Sequence, residues 1–263
     1  MEILVFIKQV PDDSVDIKLN PATGAPNLDG VTPVTNAFDT YALEMATRFK
    51  EANGGTVTVA TIGGDGTVSS IKECLAVGGD RGYLIKCDDV DALDAAAKAA
   101  LMANAVPKIE ELAGVKFDII FTGKEATDYA GGITGVTLAS KLGVGVMTDV
   151  IAVDPAEGGV DVKQMTESGY NVVGLATPCV VTIQKPDYDP RYPTIKSKMK
   201  ARKAEVPVIA ASDLGDAPSL TKVLGQREPA KKEAGVKLIP TEDEPIAAVT
   251  ARAVGMMAAA KVL

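Results

Sequence analysis

The residues best placed to do chemistry lie in one glycine-bearing run, Gly123-Lys124-Glu125-Ala126-Thr127-Asp128, continued through Tyr129, Ala130, Gly131-Gly132-Ile133-Thr134 to Gly135. The run follows FDIIFT (117–122), a short apolar segment that reads as a buried strand. It precedes a helix carrying Val136, Leu138, Ala139 and Leu142. Open α/β sheets bind ligands just beyond the carboxyl ends of their strands. Backbone N–H groups there, with the hydroxyls of Thr127 and Thr134, can hold phosphate oxygens, and Asp128 can bond a ribose or an adenine edge. This is not a Walker A loop, because Glu125 stands where Ser or Thr would follow the Lys. The run holds no Arg, so Lys124 is its only cation and neutral donors must do most of the anion binding. The spacing points to nucleotide contact.

A second turn, Gly63-Gly64-Asp65-Gly66-Thr67-Val68-Ser69, also follows a strand and opens a helix. It is one letter short of GxGxxG. Glycines here permit a phosphate to approach a helix N-terminus, and a plain βα turn would read the same. A third candidate is the basic stretch 185–203, with seven Lys or Arg against two Asp and only Tyr188 and Tyr192 as aromatics. The whole chain carries −8, the opposite bias to a general nucleic-acid binder, so a solvated, partner-facing helix fits this stretch better. There is no His, which excludes Ser/His/Asp and Cys/His triads, His-ligated metal and imidazole as general base. Cys74, Cys87 and Cys179 form no CxxC pair, so buried thiols in a reducing cytoplasm are expected rather than disulfides or a Cys-rich metal site.

These candidates need a frame. Ile3–Ile7, Thr56–Ile62, Gly82–Cys87 and 117–122 read as buried strands. Helices are expected between them. The first opens at Asn36 as N-cap, with Asp39 completing a capping-box-like pair, and carries the stripe Phe38, Tyr41, Ala42, Met45, Ala46, Phe49. Glu44 and Arg48 form an i,i+4 pair on its other side. A helix from Asp91 to about Leu112 meets Pro107, which predicts a kink or a fresh start. The alternation predicts a Rossmann-like parallel sheet covered on both faces, an α/β fold. After Gly143 three short segments (148–153, 160–165, 171–175) suggest added antiparallel strands, and CVVTIQ from Cys179 another buried strand. From Pro207 the text is Pro- and Gly-punctuated. Residues 207–243 read as an extended arm laid on a partner, before a final Ala- and Met-rich helix. With 263 residues, 46% apolar and 24% charged, the composition suits one large globular domain with an appendage. No apolar run approaches 18 residues, so a soluble, cytoplasmic protein without membrane insertion is expected.

Taken in order, ILVFIKQVPD, NAFDTYALE, CLAVGGDRG, GKEATD and DPRYPTIKSKMKARKAE resemble the beta subunit of electron-transfer flavoproteins, over roughly the first 205 residues. That resemblance implies an adenine-nucleotide alpha-hydrolase-like fold over 1–184, a partner-recognition loop and basic helix over 185–206, and a C-terminal arm and helix over 207–263 packing on an alpha subunit. It implies an electron carrier with no catalytic residue and no metal. The pocket for the nucleotide would be Phe6, Asn36, Ala37, Phe38, Asp39, Ile62, Gly63 and the run Gly123 to Thr134. Two departures touch that pocket: Ala37 replaces a common Pro, and Ile133 stands where the family often has Gln.

The segment Arg191-Tyr192-Pro193-Thr194-Ile195 resembles the loop through which these proteins dock on acyl-CoA dehydrogenase-like enzymes, with Ile195 in place of an anchoring Leu and Lys196-Ser197 in place of Pro-Asn. In one subclass the beta-subunit nucleotide is AMP. In the other it is a second FAD that takes electrons from NADH and splits them between ferredoxin or flavodoxin and a higher-potential acceptor. The run from Lys198 to Pro207 looks more like the second, so the resemblance favours FAD, with AMP as the alternative. A universal-stress-type nucleotide sensor shares the fold logic but would end near residue 150.

Overall fold

The computed structural model describes residues 1–228, 230 and 235–262. Contacts divide the chain into Met1–Gln226 and Arg227–Leu263. The first unit runs β1 (Glu2–Phe6), β2 (Gln9–Pro11), β3 (Pro33–Thr35), α1 (Ala37–Asn53), β4 (Thr56–Gly63), α2 (Val68–Val77), β5 (Arg81–Lys86), α3 (Ala95–Ala113), β6 (Ile119–Gly123) and α4 (Thr134–Leu142). It continues through β7 (Gly145–Ala156), β8 (Gly159–Thr166), β9 (Gly169–Ala176), β10 (Cys179–Ile183), α5 (Ile195–Arg202) and β11 (Val208–Ala210). Among the described residues one nine-stranded sheet has the order β11-β5-β4-β1-β6-β10-β7-β8-β9, parallel from β11 to β7 and antiparallel in the β7–β9 meander. The expected α/β class, with a mostly parallel sheet and added strands, is what forms.

The pleat explains why these strands read as unbroken apolar runs. Ile3 and Val5 join the core beneath α1, with Ala42, Met45 and Phe49, while Leu4 and Phe6 join the opposite core beneath α3 and α4. Ile119 and Phe121 of β6 divide from Ile120 in the same way. Each face is therefore sealed by helices, and only the strand ends remain for function.

Three expectations change. α3 makes no fresh start at Pro107, and it begins at Ala95 rather than Asp91, because Asp94 is its cap and accepts from the Ala97 N–H at 2.8 Å. Glu44 is not on a solvent face but buried. The text after Pro207 opens with an edge strand: β11 pairs parallel with β5, Ile209 is buried, and Asp94 accepts from the N–H groups of Leu220 and Thr221. Residues 229, 231–234 and 263 of the expected arm lie outside the described residues. In the second unit α6 (Ile246–Ala259) forms, exposing Ile246, Val254, Met256 and Met257, and Glu244 pairs with Arg252 at 2.9 Å.

Candidate functional site

The chain leaves β1 toward β4 and β5 on one side and returns to β6 on the other. The strand order thus reverses between β1 and β6, and the crevice beyond their carboxyl ends is where such sheets take ligands. Two residues at the start of α1 define it. The carboxylate of Asp39, 5% exposed, accepts from Lys8 N–H through Oδ2 (2.7 Å) and from Gly123 N–H through Oδ1 (2.9 Å). It therefore ties the chain just past β1 and the last residue of β6 to one side chain. Burial pushes its pKa up to about 7, against the pull of those N–H donors. Gly123 must be glycine, since a Cβ would collide with Asp39 Oδ1 and Phe38.

Asn36, 1% exposed, does not cap α1 through its side chain, contrary to the sequence expectation. Its Nδ2 donates to Glu125 O (2.8 Å) and its Oδ1 accepts from Thr127 N–H (3.1 Å), while its own N–H donates to Lys8 O (2.9 Å). The capping-box pattern of Asn36 and Asp39 is instead a clamp on the loop after β6. Two polar side chains at helix-cap spacing serve backbone groups distant in sequence.

Beyond the clamp the loop turns on itself. Tyr129 and Ala130 donate to Ala126 O, Ala130 sits at φ +48° and Gly132 at φ +63°. A non-glycine residue at positive φ is uncommon and concentrates where a loop is shaped for a purpose. The loop delivers the chain to α4, whose first-turn N–H groups have no helical acceptor. Gly135 lets that helix end sit close to the sheet, where an added Cβ would lie 2.6 Å from Thr122 Oγ1, a buried hydroxyl without a hydrogen-bond partner. Such a loop fits a phosphate-bearing group by its donor chemistry: N–H groups, the Thr134 hydroxyl and a helix N-terminus.

The predicted residues differ widely in exposure. Phe6 is buried in the core under α3 and α4, and Ile62 packs against the same core. Ala37 and Tyr129 are exposed, and Ile133 is 54% exposed. Lys124, expected as the local cation, instead pairs with Asp149 of β7 at 3.0 Å. The cation at the crevice is Lys8, whose Nζ contacts both oxygens of Asp128 at 2.7 and 2.6 Å. Lys8 went unassigned from sequence, although its place at the end of the first buried strand was a usable signal. In the Gly63–Ser69 turn Thr67 folds back onto Gly64 O, and Gln9 Nε2 donates to Ser70 Oγ (3.0 Å) and Ser69 Oγ (3.2 Å).

The second region is built on the same helix. Arg191 Nε donates to Glu44 Oε2 at 2.8 Å, and its outer nitrogens reach Glu51 at 2.5 and 2.9 Å. Burial pushes the Glu44 carboxyl up, but the bonds from Arg191 and Arg48 outweigh it and hold the group below its ordinary value. Arg48 also stacks over the Tyr188 ring, 3.9 Å from its centroid. Thr194 caps α5 and forms a reciprocal box with Ser197 (3.1 and 3.0 Å), so the departure at Ser197 has a structural role. Pinned in this way, the segment displays Tyr192 (93% exposed), Ile195 (82%) and Met199 (57%). Among the described residues no His/Cys/Asp/Glu group is placed to hold a metal, and no helix is long and apolar enough to cross a membrane.

Residues 29–214 match the electron transfer flavoprotein domain family. This chain belongs to that family. It is 32% identical over 272 aligned positions, covering 100% of both chains, to the electron transfer flavoprotein subunit beta of Megasphaera elsdenii. It is 34% identical over 218 positions (82% of this chain, 77% of the relative) to the protein FixA of Azorhizobium caulinodans. It is 32% identical over 219 positions (83% and 81%) to the caffeyl-CoA reductase-Etf complex subunit CarD of Acetobacterium woodii. The chain is thus a homologue of electron transfer flavoprotein beta subunits. The family match runs well past residue 150, where a universal-stress-type domain would end.

Proposed function

We propose that this chain is the beta subunit of a cytoplasmic electron-transferring heterodimer, and that the β1/β6 crevice holds FAD. The observation that carries the nucleotide site is the double clamp of Asn36 and Asp39 on the loop 123–127, which fixes donors at a topological switch point. The flavin supplies the redox chemistry when bound, and the chain supplies position and electrostatics, so the absence of His costs nothing. In this reading the flavin, when bound, would be the hydride acceptor for NADH and would supply single-electron chemistry towards ferredoxin or flavodoxin on one side and a higher-potential acceptor on the other. The name of the Acetobacterium woodii relative, a subunit of a reductase-Etf complex, supports placing this chain beside an acyl-CoA dehydrogenase-like enzyme. The exposed trio Tyr192, Ile195 and Met199 would be the contact, and α6 with its exposed apolar side chains would pack on the alpha subunit.

The test is to co-express the chain with an alpha-type partner, denature the purified complex and quantify the released nucleotides. Two FAD and no AMP per heterodimer, with rapid bleaching by NADH, supports this reading. One FAD and one AMP would replace it with a structural AMP site and single-electron transfer.

A further inference from the structure

The two lysines just past β1 and β6 are both answered by carboxylates. Lys8 pairs with Asp128, and Lys124 pairs with Asp149 at 3.0 Å. The second pair is built on a distorted piece of backbone. Asp149 lies within β7 at φ +55°, in the left-handed region that a residue with a Cβ seldom enters. There β7 runs from Met147 to Val150 while β10 runs only from Val181 to Ile183, so β7 carries one extra residue and bulges. Such distortions re-aim a side chain and cluster at functional sites. Stability is a poor reason for this one. About a third of each side chain is exposed, and ion pairs that exposed add little.

Nor does the pair set the path of the crevice loop. Gly123 N–H donates to Asp39, Lys124 N–H donates to Ile183 O at 2.8 Å, and Glu125 O accepts from Asn36. The backbone on both sides of Lys124 is thus fixed without Asp149. What Asp149 alone decides is where the Lys124 ammonium goes. That ammonium starts from the first residue past β6, at the lip of the crevice, on a flexible four-carbon stem. In the sheet β10 separates β6 from β7, so the pair draws the charge away from the β1/β6 switch point.

Resting on the nucleotide reading above, we propose that Asp149 is a specificity-determining residue, which withholds the Lys124 ammonium from the nucleotide and so favours FAD over AMP. The phosphate of AMP is a terminal monoester with about two charges on one phosphorus near neutral pH. Each phosphate of FAD is a diester with about one. Neutral N–H donors and a helix N-terminus suit the spread charge of the pyrophosphate. The concentrated charge of the monoester gains most from a cation, and here that cation is tied back.

The test uses the heterodimer stripped of nucleotide and titrated with AMP and with FAD at two ionic strengths. Asp149→Asn keeps a residue that tolerates positive φ and removes the charge. It should tighten AMP binding about tenfold and steepen its salt dependence, while FAD affinity changes less than about threefold. Adding Lys124→Met to Asp149→Asn should abolish the gain. An Asp149→Asn variant with the wild-type ratio of AMP to FAD affinity overturns the proposal. A gain that survives Lys124→Met does the same, since Lys124 is then not its source. A parallel loss of affinity for both nucleotides means that the pair shapes the loop, and the proposal is again wrong. Should Asp149→Asn fail to assemble, Asp149→Gly decides, because glycine adopts this backbone freely and also lacks the charge. A wild type that takes up neither AMP nor FAD overturns the nucleotide reading together with this one, whereas an unchanged ratio in the variant of a binding wild type overturns this one alone.

Discussion

Helix α1 holds two loops by different physics. At its start Asn36 and Asp39 hold the crevice loop through bonds to backbone atoms, one of them buried and two partly buried. Further along, Glu44 and Glu51 hold the docking segment through the guanidinium of Arg191, a third of whose side chain is exposed. Backbone bonds fix the path of the chain itself, in a place that salt screens poorly. An ion pair to one side chain fixes only the root of a segment and leaves its tip free to present Tyr192 and Ile195. A loop that must shape a cradle is clamped along its length, and one that must reach a partner is pinned once.

The largest effect should come from Asp39→Ala. It leaves the N–H groups of Lys8 and Gly123 without acceptors, at about 1–3 kcal/mol each. Urea unfolding should show that loss, and nucleotide retention should fall with it. The pH dependence carries a sign. The folded-state pKa of Asp39 is raised from 3.8 to about 7, so its contribution to stability is full below about pH 4 and is lost as pH rises through 7. Asp39→Asn should remove that slope. Arg191→Ala should cost less, about 1–3 kcal/mol, because Glu44 keeps Arg48. Its pH signature is opposite. Glu44 and Glu51 are held below their ordinary values, so the wild type loses their contribution as pH falls below the usual carboxylate range, and the variant loses less. Equal slopes of one sign at both loops would break the contrast.

The sheet was legible because strands covered on both faces are unbroken apolar runs, and Ile3–Ile7 and FDIIFT could hardly be anything else. The crevice loop was legible from its glycines. What those letters could not reveal is which polar side chain serves which backbone group. Asn36 is read locally as a cap, but its partners are 89 and 91 residues away. The same distance in sequence hid the pairs Lys8–Asp128, Lys124–Asp149 and Glu44–Arg191, since local spacing shows the charges and not the fold that brings them together. Three residues of β11 escaped notice because an edge strand that short has no periodicity to read.

Ile195→Ala sharpens the contrast from the other side. The residue is 82% exposed, so folding stability should move by no more than about 0.5 kcal/mol. Electron transfer to the partner dehydrogenase should weaken by about 1–3 kcal/mol of binding while flavin content stays constant. A stability loss matching that of Asp39→Ala would mean that the segment is packed, not presented.

The smallest effect tests whether the docking helix is ordered by its own cap. α5 has eight residues, and only Ala201 among them is buried, so tertiary burial contributes little to its order. Helices this short are marginal by themselves. Ser197 accepts from Thr194 N–H, and Thr194 Oγ1 accepts from Ser197 N–H. Ser197→Ala removes the first bond and keeps the second, which should cost about 0.5–1 kcal/mol of local order. Spread over global unfolding such a change would be hard to detect, but amide exchange in α5 reports opening of the helix directly. Exchange there should quicken about 2–5-fold, with α1 and the crevice loop unchanged. Thr194→Ala removes the second bond and keeps the first, and should quicken exchange by a similar factor. If Ser197→Ala leaves α5 exchange unchanged, the bond from Lys72 Nζ to Arg202 O at the other end of the helix is what orders it, and Lys72→Met should then produce the effect expected here of Ser197.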